Sequence, residues 1–252
     1  MSSASQPVNK GLGRVSERDQ LLLSLIVTYG FIVKSTWMRL SNGNKDSEDA
    51  MASAMWTLTR KRMVIARTLH HGISYFMLSE ATATKLGLPK FRSQPMSEAS
   101  KLRMYARLLY FTRYDSTATS IEPNELNQRL GVPSYGLPQG FYGRSSDPEF
   151  LGFLRVDTNI RTSPVRSAQV LRHDVLRLVK FIAIQERLKM KKFDFTLITA
   201  TQSRADAVLS LFQTYDRIGK APIKIIGDWQ YCLRPLFGLE AVHIELSFKP
   251  YG

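Results

Sequence analysis

The sequence predicts a mixed chain, α+β or α/β, built in two parts. Three observations carry this. Apolar residues recur at helical spacing in the stretch before residue 60. Two β-prone runs joined by a glycine-containing turn follow between Met63 and Leu78. Beyond residue 140, strand-like and helix-like runs alternate, which implies a partly parallel sheet covered by helices. The 252 residues are enough for two domains, and a hydrophobic content of 44% excludes wholesale disorder. The expected boundaries are a flexible tail over 1–14, a first domain over 15–115 and a second over 116–252.

The first helix is expected to start at Ser16, which caps it, with Glu17 and Asp19 at the positive end of the helix dipole. Leu21, Leu22, Leu25, Ile26 and Tyr29 give it one apolar face, and Gly30 stops it. Phe31-Ile32-Val33 leads into a second, short helix over about 34–40, with Trp37 and Leu40 inward. Ser41-Asn42-Gly43-Asn44 reads as a turn. A third helix begins near Asp46 or Ser47, with Met51, Ala54, Met55 and Leu58 on one face. Asp49, Ser53, Trp56, Thr57 and Arg60 fall on the other, and the helix ends in Arg60-Lys61-Arg62. Trp56 is expected to be core at a helix–helix contact. The hairpin follows, its tip expected to expose Arg67, His70 and His71. Three helices and then a hairpin is the order of a winged helix-turn-helix. Ser79 then starts a further helix, and another over 97–112 carries Lys101, Arg103 and Arg107.

In the second half, residues 113–150 are rich in turns, and 140–157 read as strand, turn, strand. One long helix is expected over 165–191. Its Leu171, Val175, Leu178 and Ile182 line one face, its cations form a solvated one, and His173-Asp174 is a solvated pair. Phe193–Thr199 reads as a buried strand, 203–215 as a helix capped by Ser203, and 222–227 and 241–248 as further strands.

Charge narrows the function. There are 35 Lys and Arg against 21 Asp and Glu, a net charge of +14. Residues 1–115 hold 17 of these cations and 8 of the acids, so most of the surplus lies in the first half. A basic domain of this kind most often meets a polyanion, and nucleic acid comes before an anionic membrane. One cysteine, Cys232, excludes an internal disulfide framework and a Cys-rich zinc site. His70-His71 lacks the i, i+4 spacing of a helical metal pair. The polar start of the chain and the short, broken apolar run over 21–33 predict neither a signal segment nor a membrane span, so the protein reads as cytoplasmic.

The third helix has what a major groove demands: small residues for close approach, and cations that reach phosphate or guanine. Ser53, Thr57 and Arg60 are candidate base-edge contacts. Lys45, Lys61 and Arg62 are candidate phosphate contacts, and Arg67, His70 and His71 would reach the backbone or minor groove. Catalytic candidates are weak. No phosphate-binding glycine loop or nucleophile elbow occurs. A metal-dependent nuclease needs several carboxylates and a lysine together. Asp157 ends a strand, but Arg155 precedes it and Asn159 follows it where an acid and a lysine are wanted.

Ser16–Leu23, the third helix ending Arg60-Lys61-Arg62, and Tyr75–Ser79 followed by Leu86-Gly87 resemble the winged-helix part of the replication-relaxation family, found on plasmids and mobile elements. Phe150–Asp157, the long helix and Phe193–Ala200 resemble its second part, a restriction-endonuclease-like fold of the PD-(D/E)xK type. The resemblance implies DNA binding on a degenerate nuclease scaffold that has lost cleavage. The expected protein is thus a non-catalytic binder of specific double-stranded DNA, without metal or cofactor and acting as a homodimer. It would be a transcription regulator or a replication or mobilisation accessory. The alternatives are a metal-dependent nuclease centred on Asp157 and a winged-helix module that binds protein.

Overall fold

A computed structural model describes residues 15–40, 48–70, 73–121, 123–131, 137, 140–157, 163–199, 201–213 and 223–227. Among them the chain is mixed α+β and divides into two compact units, one up to Ser116 and one from Thr117 on. The expected 1–14 tail, the 41–44 turn and the 241–248 strand lie outside the described residues.

The first unit runs α1 (Glu17–Tyr29), β1 (Ile32–Val33), α2 (Lys34–Leu40), α3 (Glu48–Arg60), β2 (Val64–His70) and β3 (Ile73–Leu78). Ser16 caps α1 by accepting the Asp19 amide, and Gly30 closes it at φ +82°. The three strands form an antiparallel sheet in the order β1-β3-β2, with Ile32 opposite Phe76 and Val64 opposite Leu78. β1 is too short to carry a periodic signal, and the sequence predicts it only as a lead-in to α2. Leu22, Leu23, Ile26, Phe31, Trp37, Met51, Leu58, Tyr75 and Met77 are buried together as the core.

Two more helices complete this unit. Ser79 caps α4 (Glu80–Lys85), and Ser97 caps α5 (Glu98–Leu109). α5 gives way to a π turn over Tyr110–Tyr114 instead of continuing regularly to Thr112. Thr112 Oγ1 donates to the Leu108 carbonyl at 2.9 Å, the kind of back-bond that disturbs a helical ladder. This segment packs on the end of α1, where the Tyr29 and Phe111 rings lie 5.4 Å apart, and Arg92, from a short turn (Lys90–Arg92) between α4 and α5, donates to the Val27 carbonyl.

The second unit contains β4 (Ala118–Ser120), α6 (Pro123–Leu130), β5 (Phe141–Arg144), β6 (Asp147–Val156), α7 (Pro164–Leu178), α8 (Ile182–Lys189), β7 (Phe193–Thr199), α9 (Gln202–Gln213) and β8 (Ile223–Gly227). Its sheet has the order β4-β5-β6-β7-β8; the first two pairings are antiparallel and the last two parallel. One face carries Phe141, Leu151, Phe153, Phe193, Phe195 and Leu197. These share a core with Leu126 of α6, Leu171, Val175 and Leu178 of α7, Ile184 of α8 and Val208 of α9. On the opposite face the Tyr142 ring lies across Gly152, its partner in the ladder, and its hydroxyl donates to Asp194.

Three expectations are corrected here. The single helix over 165–191 is two helices, because Phe181 turns extended (φ −82°, ψ 122°) and its carbonyl starts α8. His173-Asp174 is not a solvated pair: His173 is exposed, but Asp174 is buried and accepts from Arg155 of β6. The cap of α9 is Thr201, whose hydroxyl accepts the Arg204 amide; Ser203 lies inside the helix.

Candidate functional site

α3 buries Met51, Ala54, Met55 and Leu58 and turns Asp49, Ser53, Trp56 and Arg60 to solvent. The exposed positions follow the same 3–4 residue step as the buried ones, so they line one side of the helix. Trp56 is 62% exposed, which overturns the expectation that it is core. Its neighbour one turn on explains how it stands there: the Arg60 guanidinium lies 5.2 Å from the centre of the indole. The pair covers apolar ring surface with a delocalised cation, a contact worth about 0.5–1 kcal/mol at an exposed site. Ser53 lies one turn before Trp56. Thr57 is half-buried and donates to the Ser53 carbonyl at 3.0 Å, so only its oxygen lone pairs remain to accept from a ligand.

The C-terminal end of α3 is closed by its own backbone. The Met63 amide donates to the Leu58 carbonyl and the Arg62 amide to the Thr59 carbonyl, a Schellman closure. Arg62 occupies the left-handed position at φ 55°, where glycine is the residue without steric cost. Arg62 and Lys61 are both exposed. Lys61 sits 3.9 Å from the buried carboxylate of Asp19, which ties the end of α3 to the first turn of α1. Cations here also complement the negative end of the helix dipole.

The hairpin residues do not gather at this end. Arg67 pairs with Tyr75 in mid-strand, not at the tip; it is half-buried, and its Nε is buried without a hydrogen-bond partner. Burial raises the pKa of Tyr75, while the nearby charges of Lys101 and Arg67 oppose that rise. Arg67 therefore belongs to the sheet beside Tyr75 more than to a reaching surface. The backbone of His70 pairs with Ile73, while its side chain, His71 and Lys45 lie outside the described residues. The structure thus brings together Ser53, Thr57, Arg60, Lys61 and Arg62 of the expected set, and adds Trp56. Its place on the polar face of the helix was the signal for it.

In the second unit Asp157 accepts from Ser167 at 2.6 Å and from Arg204 at 2.8 Å. Both Asp157 and Arg204 are nearly buried, so the carboxylate is already neutralised where a cation would need its charge. Among the described residues no group of His, Cys, Asp and Glu is placed to hold a metal ion, and no helix is long and apolar enough to cross a membrane.

Comparison of the chain with protein-family models, with curated proteins and with solved structures finds no match.

Proposed function

We propose that the first unit is a winged helix-turn-helix that binds double-stranded DNA, with α3 as the recognition helix in the major groove. The observation that carries this reading is the exposed side of α3: Ser53, Trp56 and Arg60 aligned along the helix, with Lys61 and Arg62 at its end. The order α1-β1-α2-α3-β2-β3, with β3 central in the sheet, supports it. In this reading Arg60 donates to guanine O6 and N7 or to a phosphate, and Thr57 accepts from a base amino group. Trp56 offers an apolar edge to a thymine methyl or the sugar backbone. Lys61 and Arg62 set the register on phosphates. The second unit is proposed as a nuclease-like scaffold without cleavage. The protein would serve as a transcription regulator or as an accessory to plasmid or mobile-element replication or mobilisation.

Selection of bound sequences from random duplex DNA at near-physiological salt tests the reading. Enrichment of a motif is expected, and a palindromic motif would identify a two-fold dimer. Arg60→Ala is expected to weaken binding to the selected site by about 1–3 kcal/mol and to relax preference at one base pair. No enrichment, together with unchanged affinity in Arg60→Ala, would refute it.

A further inference from the structure

The second unit carries a cationic stripe that its own fold does not use. On α7, Arg166, His173 and Arg177 are exposed, and Lys180 is exposed just past the helix end. At 3.6 residues per turn these positions fall within an arc of about 60°, and they span about 21 Å along the axis. The opposite side of α7 is Leu171, Val175 and Leu178, each fully buried. Among the described residues, Arg166, Arg177 and Lys180 make no ion pair. Glu125, Asp147, Glu149, Asp157, Asp174 and Asp194 are each bound to other cations. The remaining described acids of the unit, Glu186 and Asp206, lie on α8 and α9.

Two features sharpen this. Arg166 stands in the first turn of α7, which contains no acid, and Ser163 makes no side-chain cap there. A cation at the positive end of a dipole is unfavourable for the helix itself, so local stability does not account for it. The one acid of α7, Asp174, points inward to Arg155, which leaves the outer side without a negative charge. A lipid surface fits less well, because the broad apolar side of α7 is spent in the core and the helix leaves only Val165 and Leu176 exposed beside the stripe.

We propose that the outer side of α7, through Arg166, Arg177 and Lys180, is a second contact with the sugar–phosphate backbone of duplex DNA. It rests on the reading of the first unit for the identity of the partner. Because each strand winds around the duplex, a straight stripe of about 21 Å runs beside only a few successive phosphates, enough to seat these cations without reading sequence. α3 then selects the site, and α7 adds affinity that is indifferent to sequence.

The test is a salt titration of the full chain on two 30-bp duplexes, the selected site and a scrambled one. The triple variant Arg166→Gln, Arg177→Gln, Lys180→Gln is compared with wild type, and Gln169→Ala serves as an exposed uncharged control on the same helix. Each lost phosphate contact lowers the slope of log K against log salt by about 0.9. A drop of about 2–3 in that slope is expected on both duplexes, and the wild-type advantage should shrink roughly 40-fold between 50 and 200 mM salt. Preference for the selected site should stay unchanged. An unchanged slope with intact DNA binding would overturn the α7 contact and leave α3 standing. Failure of wild type to bind either duplex at low salt would overturn both. Binding of anionic phospholipid vesicles in place of duplex would overturn them in favour of a membrane surface.

Discussion

α3 and α7 are built alike and finished differently. Each buries one apolar side, Met51, Met55 and Leu58 in the first case and Leu171, Val175 and Leu178 in the second. The outward side of α3 is chemically mixed: an acid, a hydroxyl, an indole and a guanidinium, with Asp49 left in solvent. The outward side of α7 carries a stripe of cations and no acid, because its one acid faces Arg155. Mixed chemistry at fixed spacing suits a ligand whose surface changes from step to step, as base edges do. Uniform charge suits a ligand that repeats, as a phosphate chain does.

The buried sides set the largest effects. Leu58→Ala and Leu171→Ala each remove a fully buried side chain and should destabilise by about 2–5 kcal/mol, measured by urea unfolding. A cost under 1 kcal/mol in either would mean that the helix is not a pillar of its core. The two acids come next. Asp174→Asn removes a buried charge-assisted partner of Arg155 and should cost about 1.5–3 kcal/mol. Asp49→Asn should change stability by less than about 1 kcal/mol and tighten DNA binding by removing a like charge from the groove. Looser binding in Asp49→Asn would point instead to a direct contact with a cytosine amino group. A comparable effect of opposite origin is expected at Arg62, where φ is 55°. Arg62→Gly should raise stability by roughly 1 kcal/mol and lower the salt slope by about 0.9, read by thermal unfolding and by gel shift. A small loss of stability belongs to Trp56→Ala, about 0.5–1 kcal/mol, because the side chain is 62% exposed and only the stacked guanidinium is lost. Its discrimination between DNA sites should nevertheless fall. Full retention of specificity in that variant would erase the proposed distinction between the two helices.

Local features of the fold were legible where their cause is local. Ser16, Ser79 and Ser97 cap the helices expected of them, since a hydroxyl and an amide three residues on decide the matter. The buried positions of α3 followed from spacing alone. The break between α7 and α8 was hidden because Val179-Lys180-Phe181 contains no glycine or proline and continues the apolar period. Asp174 looked solvated because its partner Arg155 is on a strand 19 positions upstream, beyond any helical pattern. Trp56 was misread because indole area usually signals a core. Its partner Arg60 was in view one turn away, but spacing does not reveal a stacked cation. Arg67 was placed at the hairpin tip by composition, whereas the pairing with Tyr75 depends on strand register.

The absence of a side chain at Gly152 fixes that kind of register elsewhere in the molecule. Tyr142 lies flat across this position and reaches a carboxylate on the strand beyond, so the glycine works as a slot cut to the width of a ring. Were β5 to slide by one residue against β6, the ring would land on Leu151 or Phe153 and the phenol would lose Asp194. Shape, at a single point, keeps an antiparallel hairpin aligned with the parallel strands beside it.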